Sequence, residues 1–192
     1  FPTNARGTSV TIDGHAAPIV SISNVGGREQ INLQVPFEVR TGLVRVVVSN
    51  NGTESAFEGV PVFESQPGIF EIDIAGGRFA AALHADFRLV SPADPARPGE
   101  TILLFLTGMG PLEQPVGTNE AGPAPAPRAR FAPVVGIDDA GVPDFGGFYA
   151  PGLATVYQVN FTVPADLQTG NHRLSVGAGG AFSQTAMLPV RR

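Results

Sequence analysis

Cysteine, lysine and tryptophan are all absent from the 192 residues. Without cysteine there is no disulfide, no thiolate zinc site and no cysteine nucleophile. The compartment stays undecided, because many bacterial surface proteins also lack cysteine. Without lysine, Schiff-base chemistry, a P-loop lysine and Lys–Asn isopeptide cross-links all fall away. All 12 basic residues are arginine, only Arg191-Arg192 forms a basic pair, and the net charge is −5. A phosphate-neutralising surface for nucleic acid is therefore excluded. Long apolar runs are missing too, and Ile102–Leu106 is far too short to cross a bilayer. The chain opens Phe1-Pro2-Thr3, with neither an initiator Met nor a signal-peptide pattern, and so is expected to be a piece of a longer precursor.

What is abundant is turn chemistry. There are 24 Gly and 18 Pro in a chain that is still 43% hydrophobic, which points to many short strands joined by tight turns and not to disorder. The strands come in a repeat. Gln30–Val62 aligns with Gln158–Val190 without a gap at an offset of 128, with 12 identities in 33 positions. Upstream, Val10-Thr11-Ile12-Asp13 matches Val135-Gly136-Ile137-Asp138 at an offset of 125, so the two copies differ by three residues in one loop.

Period-2 alternation and turn residues predict strands over 8–12, 18–23, 30–35, 44–49 and 56–63 in the first copy. In the second copy they predict strands over 134–137, 156–163, 174–177 and 185–190, with a weaker one over 142–148. Between the copies lie 69–74, 79–84 and 101–108, and the last, apolar on both faces, is expected to be nearly fully buried. No segment carries a helical period. The expected fold is all-β: two tandem Ig-like Greek-key β-sandwich units, the first lacking its N-terminal strands. The division falls at 1–66 and 67–192, with a Pro-rich internal loop over 111–133 in the second unit. That loop carries Pro123, Pro125, Pro127 and Pro133 with Pro115 just upstream, and its length suggests that it binds a neighbour.

Few residues suggest chemistry. Gln30 and Asn32, like Gln158 and Asn160, place two amides on one face of a strand, followed in each copy by a proline, Pro36 or Pro164. Glycan binding is one use for them. Recurrence in both copies favours a structural one, in which buried amides satisfy loop backbone groups. His15, His84 and His172 have no metal-like spacing and read as loop or edge residues. Thr107-Gly108-Met109-Gly110 follows a strand but lacks the serine of a nucleophile elbow. Asp138, Asp139 and Asp144 are the only candidates for calcium, although Asp in turns usually serves Asx hydrogen bonds. Catalytic, cofactor and metal residues are accordingly expected to be absent.

Several of these elements resemble one family. Gly7-Thr8-Ser9-Val10, the Gln-x-Asn-x-Gln-Val-Pro run at 30–36, Gln66-Pro67-Gly68-Ile69-Phe70, Pro95-Ala96-Arg97-Pro98-Gly99-Glu100, Thr107–Pro111 and Tyr157–Asn160 are similar to the uncharacterised C-terminal domain family of Solibacter-type acidobacterial secreted proteins. The resemblance implies an Ig or TIG-like fold at the end of large exported proteins, with no activity to carry over. It also implies a further N-terminal strand element that this chain does not include. The expected function is a non-catalytic structural or assembly module, extracellular or at the cell surface, open to completion by strand donation. Its partners would be neighbouring domains of the same precursor or other copies of itself, without nucleic acid or membrane insertion. The alternative is a carbohydrate-binding module.

Overall fold

A computed structural model describes residues 1–192. The chain is all-β with no helix, and its sheets are antiparallel, as in a β-sandwich. It divides into two compact units: Phe1–Glu64 with Val116–Glu120, and Ser65–Pro115 with Ala121–Arg192.

The first unit contains β1 (Asn4–Ala5), β2 (Thr8–Ile12), β3 (His15–Ala16), β4 (Ile19–Val25), β5 (Arg28–Leu33), β6 (Gly42–Asn50) and β7 (Thr53–Val62). One sheet has the order β1-β2-β6-β7, with β3 beside β2; the other is the hairpin β4-β5 alone. Turn chemistry explains the tight connections. Asp13-Gly14 and Asn51-Gly52 hold positive φ at both positions, the type I′ geometry whose twist matches a hairpin. The core is small. Val10, Ile12, Ala17 and Val44 are buried, and Ile31, Leu33, Val46, Val48, Val60 and Val62 pack around them only partly covered.

The second unit contains β8 (Gly68–Ile69), β9 (Glu71–Ile74), β10 (Gly77–Ala80), β11 (Ala82–His84), β12 (Thr101–Thr107), β13 (Val134–Ile137), β14 (Ala140–Val142), β15 (Asp144–Tyr149), β16 (Tyr157–Thr162), β17 (Gly170–Ala178), β18 (Ala181–Phe182) and β19 (Ala186–Val190). Its main sheets are β11-β12-β16-β15, with β8 beside β12, and β14-β13-β17-β18, with β19 beside β17. The predicted strands over 69–74 and 79–84 are each broken once, giving β8 and β9, and β10 and β11. The most apolar strand is covered on both faces: Ile102, Leu104 and Leu106 have no exposed surface and Leu103 has little, while Phe105 is half-buried.

Strand register repeats between the units. In the first, Val10 lies opposite Val48 and Ile12 opposite Val46; in the second, Val135 lies opposite Val176 and Ile137 opposite Leu174. Gly42 faces Val62 and Leu43 faces Pro61, as Gly170 faces Val190 and Asn171 faces Pro189. Gln30 faces Ser23, and Leu33 faces Ile19 across a bulge. Gln158 likewise faces Phe148, and Phe161 faces Asp144, again across a bulge. Shifting the earlier strands by 125 and the later ones by 128 brings all these pairs into coincidence. The three extra residues fall between β15 and β16, where the first unit has only the Gly26-Gly27 turn.

The register makes one difference plain. Strand β16 pairs with β15 on one side and β12 on the other, whereas its counterpart β5 pairs with β4 alone.

Candidate functional site

The free side of β5 is the feature that sets the two halves apart. Residues alternate along an antiparallel strand in the direction of their backbone groups. The Gln34 N–H donates to the Pro18 carbonyl beside β4 at 2.9 Å, so Leu33, Ile31 and Glu29 turn their N–H and C=O groups the other way, where the chain offers no partner. The same holds for Val35. In the second unit its counterpart Val163 donates its N–H to the Glu100 carbonyl at 2.9 Å and accepts from the Gly99 N–H at 2.8 Å. Coverage follows pairing: Val35 is 46% exposed and Val163 0%. Val159 and Phe161 are fully buried, but their counterparts Ile31 and Leu33 are only half-buried. Across the slot, Val46 and Val48 are half-buried where Leu174 and Val176 are fully covered. Phe57, opposite Val46, is 54% exposed. The first unit thus presents an apolar slot bounded by a row of unpaired backbone groups, the template for strand addition.

The slot's upper end is held by side chains. The buried Gln34 carboxamide oxygen accepts from the Asn119 N–H at 2.8 Å. The Phe37 N–H donates to the Thr118 hydroxyl at 2.8 Å, and that hydroxyl donates to Glu38 at 2.6 Å. The Thr118 hydrogen bond holds the Glu38 carboxyl below its ordinary value. At the N-terminus, the Phe1 ammonium donates to the Asn119 Oδ1 at 2.6 Å and β1 pairs with β2, so the N-terminal arm is engaged within the unit.

The amide pairs take a different role from the one expected. Gln30 Nε2 donates to Asn32 Oδ1 at 2.6 Å, and Asn32 Nδ2 donates to the Ser21 hydroxyl at 3.0 Å, all at the exposed surface. Gln158 Nε2 donates to Asn160 Oδ1 at 2.8 Å. Each glutamine bonds its asparagine along the strand, Asn32 also reaches across to Ser21 of β4, and none of these bonds goes to loop backbone. Pro36 and Pro164 begin matching turns, their carbonyls accepting from Val39 and Leu167 at 3.1 and 3.2 Å.

The remaining polar candidates are partnered locally. Asp138 accepts from His172 Nδ1 at 2.6 Å and from the Arg173 N–H at 2.9 Å, Asp139 pairs with the Arg173 guanidinium, and Asp144 accepts from the Gly146 N–H at 2.9 Å. These carboxylates do not gather with further His, Asp or Glu side chains into a cation-holding group. His84 lies buried in β11 against Glu100 and Asp94. In the Thr107–Gly110 turn, Gly108 has φ +72°, and a Cβ there would come within 2.0 Å of the Gln66 carbonyl. Met109 is buried, and the Gly110 carbonyl accepts from the Tyr157 hydroxyl. Burial, with the neighbouring Tyr149, pushes the Tyr157 phenol up. That turn is core architecture. The Pro-rich loop seals an edge: the Tyr149 N–H donates to the Pro127 carbonyl and the Ala129 N–H to the Gly147 carbonyl, both at 2.9 Å, along the outer side of β15.

Asp138 carries a pH prediction. Its carboxyl sits below the usual aspartate range, chiefly through the His172 hydrogen bond and then the Arg173 N–H. A folded value below the unfolded one stabilises at pH above the ordinary aspartate value of about 4, and the gain is lost as pH falls through the folded value. Because the group is at the surface, the gain is under about 1 kcal/mol and weakens with salt. Urea titrations at pH 6 and pH 3 should therefore differ less for Asp138→Asn than for the parent chain; an unchanged difference would remove Asp138 from the account.

Comparison with family models, with curated proteins and with solved structures yields no match to this chain.

Proposed function

We propose that the chain is a non-catalytic structural or assembly module of an extracellular or cell-surface protein, made of two tandem Ig-like Greek-key units, the first of which is completed by a strand from a partner. The single observation that carries this reading is the unpaired edge of β5 over half-covered apolar side chains, set against the paired edge of β16 in the same register. A soluble fold that leaves such an edge open invites another chain to pair with it. The polar groups support the same reading, because His84, His172, Asp138 and Asp139 are spent on one another or on Arg173, Glu100 and Asp94.

A carbohydrate-binding module is the weaker reading. Aromatic platforms for sugars favour exposed Trp and Tyr; Trp is absent, and the two tyrosines, Tyr149 and Tyr157, are buried. Native electrophoresis of the protein from gently extracted source material should show a species well above the mass of its own denatured polypeptide, falling to that mass only on denaturation. A native monomer would overturn the assembly reading, and micromolar binding on a glycan array would promote the alternative.

A further inference from the structure

The open edge of β5 is specific about what it would accept. In the second unit β12 runs antiparallel to β16, with Leu106 opposite Tyr157, Leu104 opposite Val159 and Ile102 opposite Phe161. The side chains of Ile102, Leu104 and Leu106 fill the space between the sheets with no exposed surface. Moved by the repeat offset of 128, the facing acceptor residues are Glu29, Ile31 and Leu33. The backbone groups needed are those already turned outward, and two residues ahead of the strand reach Val35 as Gly99 and Glu100 reach Val163.

We infer that β5 accepts an extended polypeptide strand that runs antiparallel to it and presents three large aliphatic side chains at alternate positions opposite Leu33, Ile31 and Glu29. The intervening side chains face the side of the hairpin that carries Gln30 and Asn32. Both are exposed there, so those donor positions are polar, unlike Leu103 and Phe105 of β12.

The occupant is a lone strand from outside residues 1–192. Within the chain, the arm Phe1–Arg6 is spent on β2 and on the Ile19 N–H, which donates to the Pro2 carbonyl, and the Pro-rich loop is spent on β15. A second copy's β5 fits poorly. Two-fold antiparallel pairing of β5 with β5 puts the β1-β2-β6-β7 sheets of both copies on the same side of the joined sheet, where each would intrude on the other's slot. A single strand brings side chains without a second layer.

This inference rests on the assembly reading above for its biological setting, while its test needs only the purified 192-residue chain. The probe is a fluorescein-labelled peptide Gly-Glu-Thr-Ile-Thr-Leu-Thr-Leu-Thr, which keeps the inward residues of β12 and makes the outward ones polar. Fluorescence polarisation should show saturable binding in the micromolar range, and hydrogen exchange should slow at the amides of Glu29, Ile31, Leu33 and Val35. A peptide of the same composition with the alternation scrambled should bind at least tenfold more weakly. So should one N-methylated at the leucine opposite Ile31, which loses a ladder donor while the protein is untouched. No saturable binding, equal binding by the control peptides, or protection elsewhere would overturn the inference. Peptide binding by a protein that is monomeric in native extracts would instead overturn the assembly reading and leave the acceptor edge standing.

Discussion

Phe161→Ala is expected to destabilise the second unit by about 4 kcal/mol, while Leu33→Ala at the same register position is expected to cost less than about 2 kcal/mol. Both residues point between the sheets, but Phe161 is fully enclosed and Leu33 is half-buried beside the empty edge. Truncation in an enclosed site leaves a cavity that cannot collapse, whereas a half-open site lets water in and gives up less apolar burial. The measurement can separate the units. The only tyrosines, Tyr149 and Tyr157, lie in the second unit, and without tryptophan their fluorescence reports on that unit alone during urea unfolding. Hydrogen exchange of the Val46 and Val48 amides, on the strand paired with β7, reports on the first. Equal costs at the two positions would mean that the slot is closed in solution. Saturating strand peptide should raise the cost of Leu33→Ala toward that of Phe161→Ala.

The second large effect is at His84. Its ring is 1% exposed, with Nδ1 2.6 Å from Glu100 Oε1 and Nε2 3.2 Å from the Asp94 carbonyl. The other Glu100 oxygen accepts from the Arg97 N–H at 2.9 Å, so one ring ties β11 to the loop that leads into β12. His84→Ala removes packed volume and strands a largely enclosed carboxylate, and should cost about 3 kcal/mol. His84→Phe restores volume but not the hydrogen bonds and should still cost about 1–2 kcal/mol. Tyrosine-monitored urea titrations check both. A loss below about 0.5 kcal/mol for His84→Ala would show that water replaces the ring without penalty.

The architecture was legible wherever it rests on period and turn chemistry. Strand β12 follows from five successive apolar residues, and the β6–β7 hairpin from Asn51-Gly52 between alternating valines. The paired offsets of 125 and 128 already contained the register of β2 on β6 and of β13 on β17. The free edge of β5 was legible as well, because within these residues no counterpart of Thr101–Thr107 stands ahead of the first copy of the repeat.

What escaped sequence reading depends on long-range side-chain geometry, which has no period. His84 meets carboxylates 10 and 16 residues away through a loop with no local signature. The Gln-x-Asn spacing places two amides on one face but does not say whether they bond to loops or to each other, and they bond to each other. The length of 111–133 suggested a neighbour-binding segment, and the Pro127–Ala129 stretch of its backbone lies along β15. Nothing in Val116–Glu120 marks those five residues as part of the first unit.

That last feature bears on the order of events at the ribosome. The Gln34 carboxamide oxygen receives its donor from Asn119, 85 residues later, and the Glu38 carboxylate receives its donor from Thr118, 80 residues later. When the first seven strands have left the exit tunnel, the polypeptide that closes their upper end has not been made. The first unit therefore gains its last contacts only after β8–β12 of the second have been made. The nascent N-terminal half waits, with the Gln34 carboxamide oxygen and the Glu38 carboxylate without these donors, until synthesis has passed through β12 and reached Glu120.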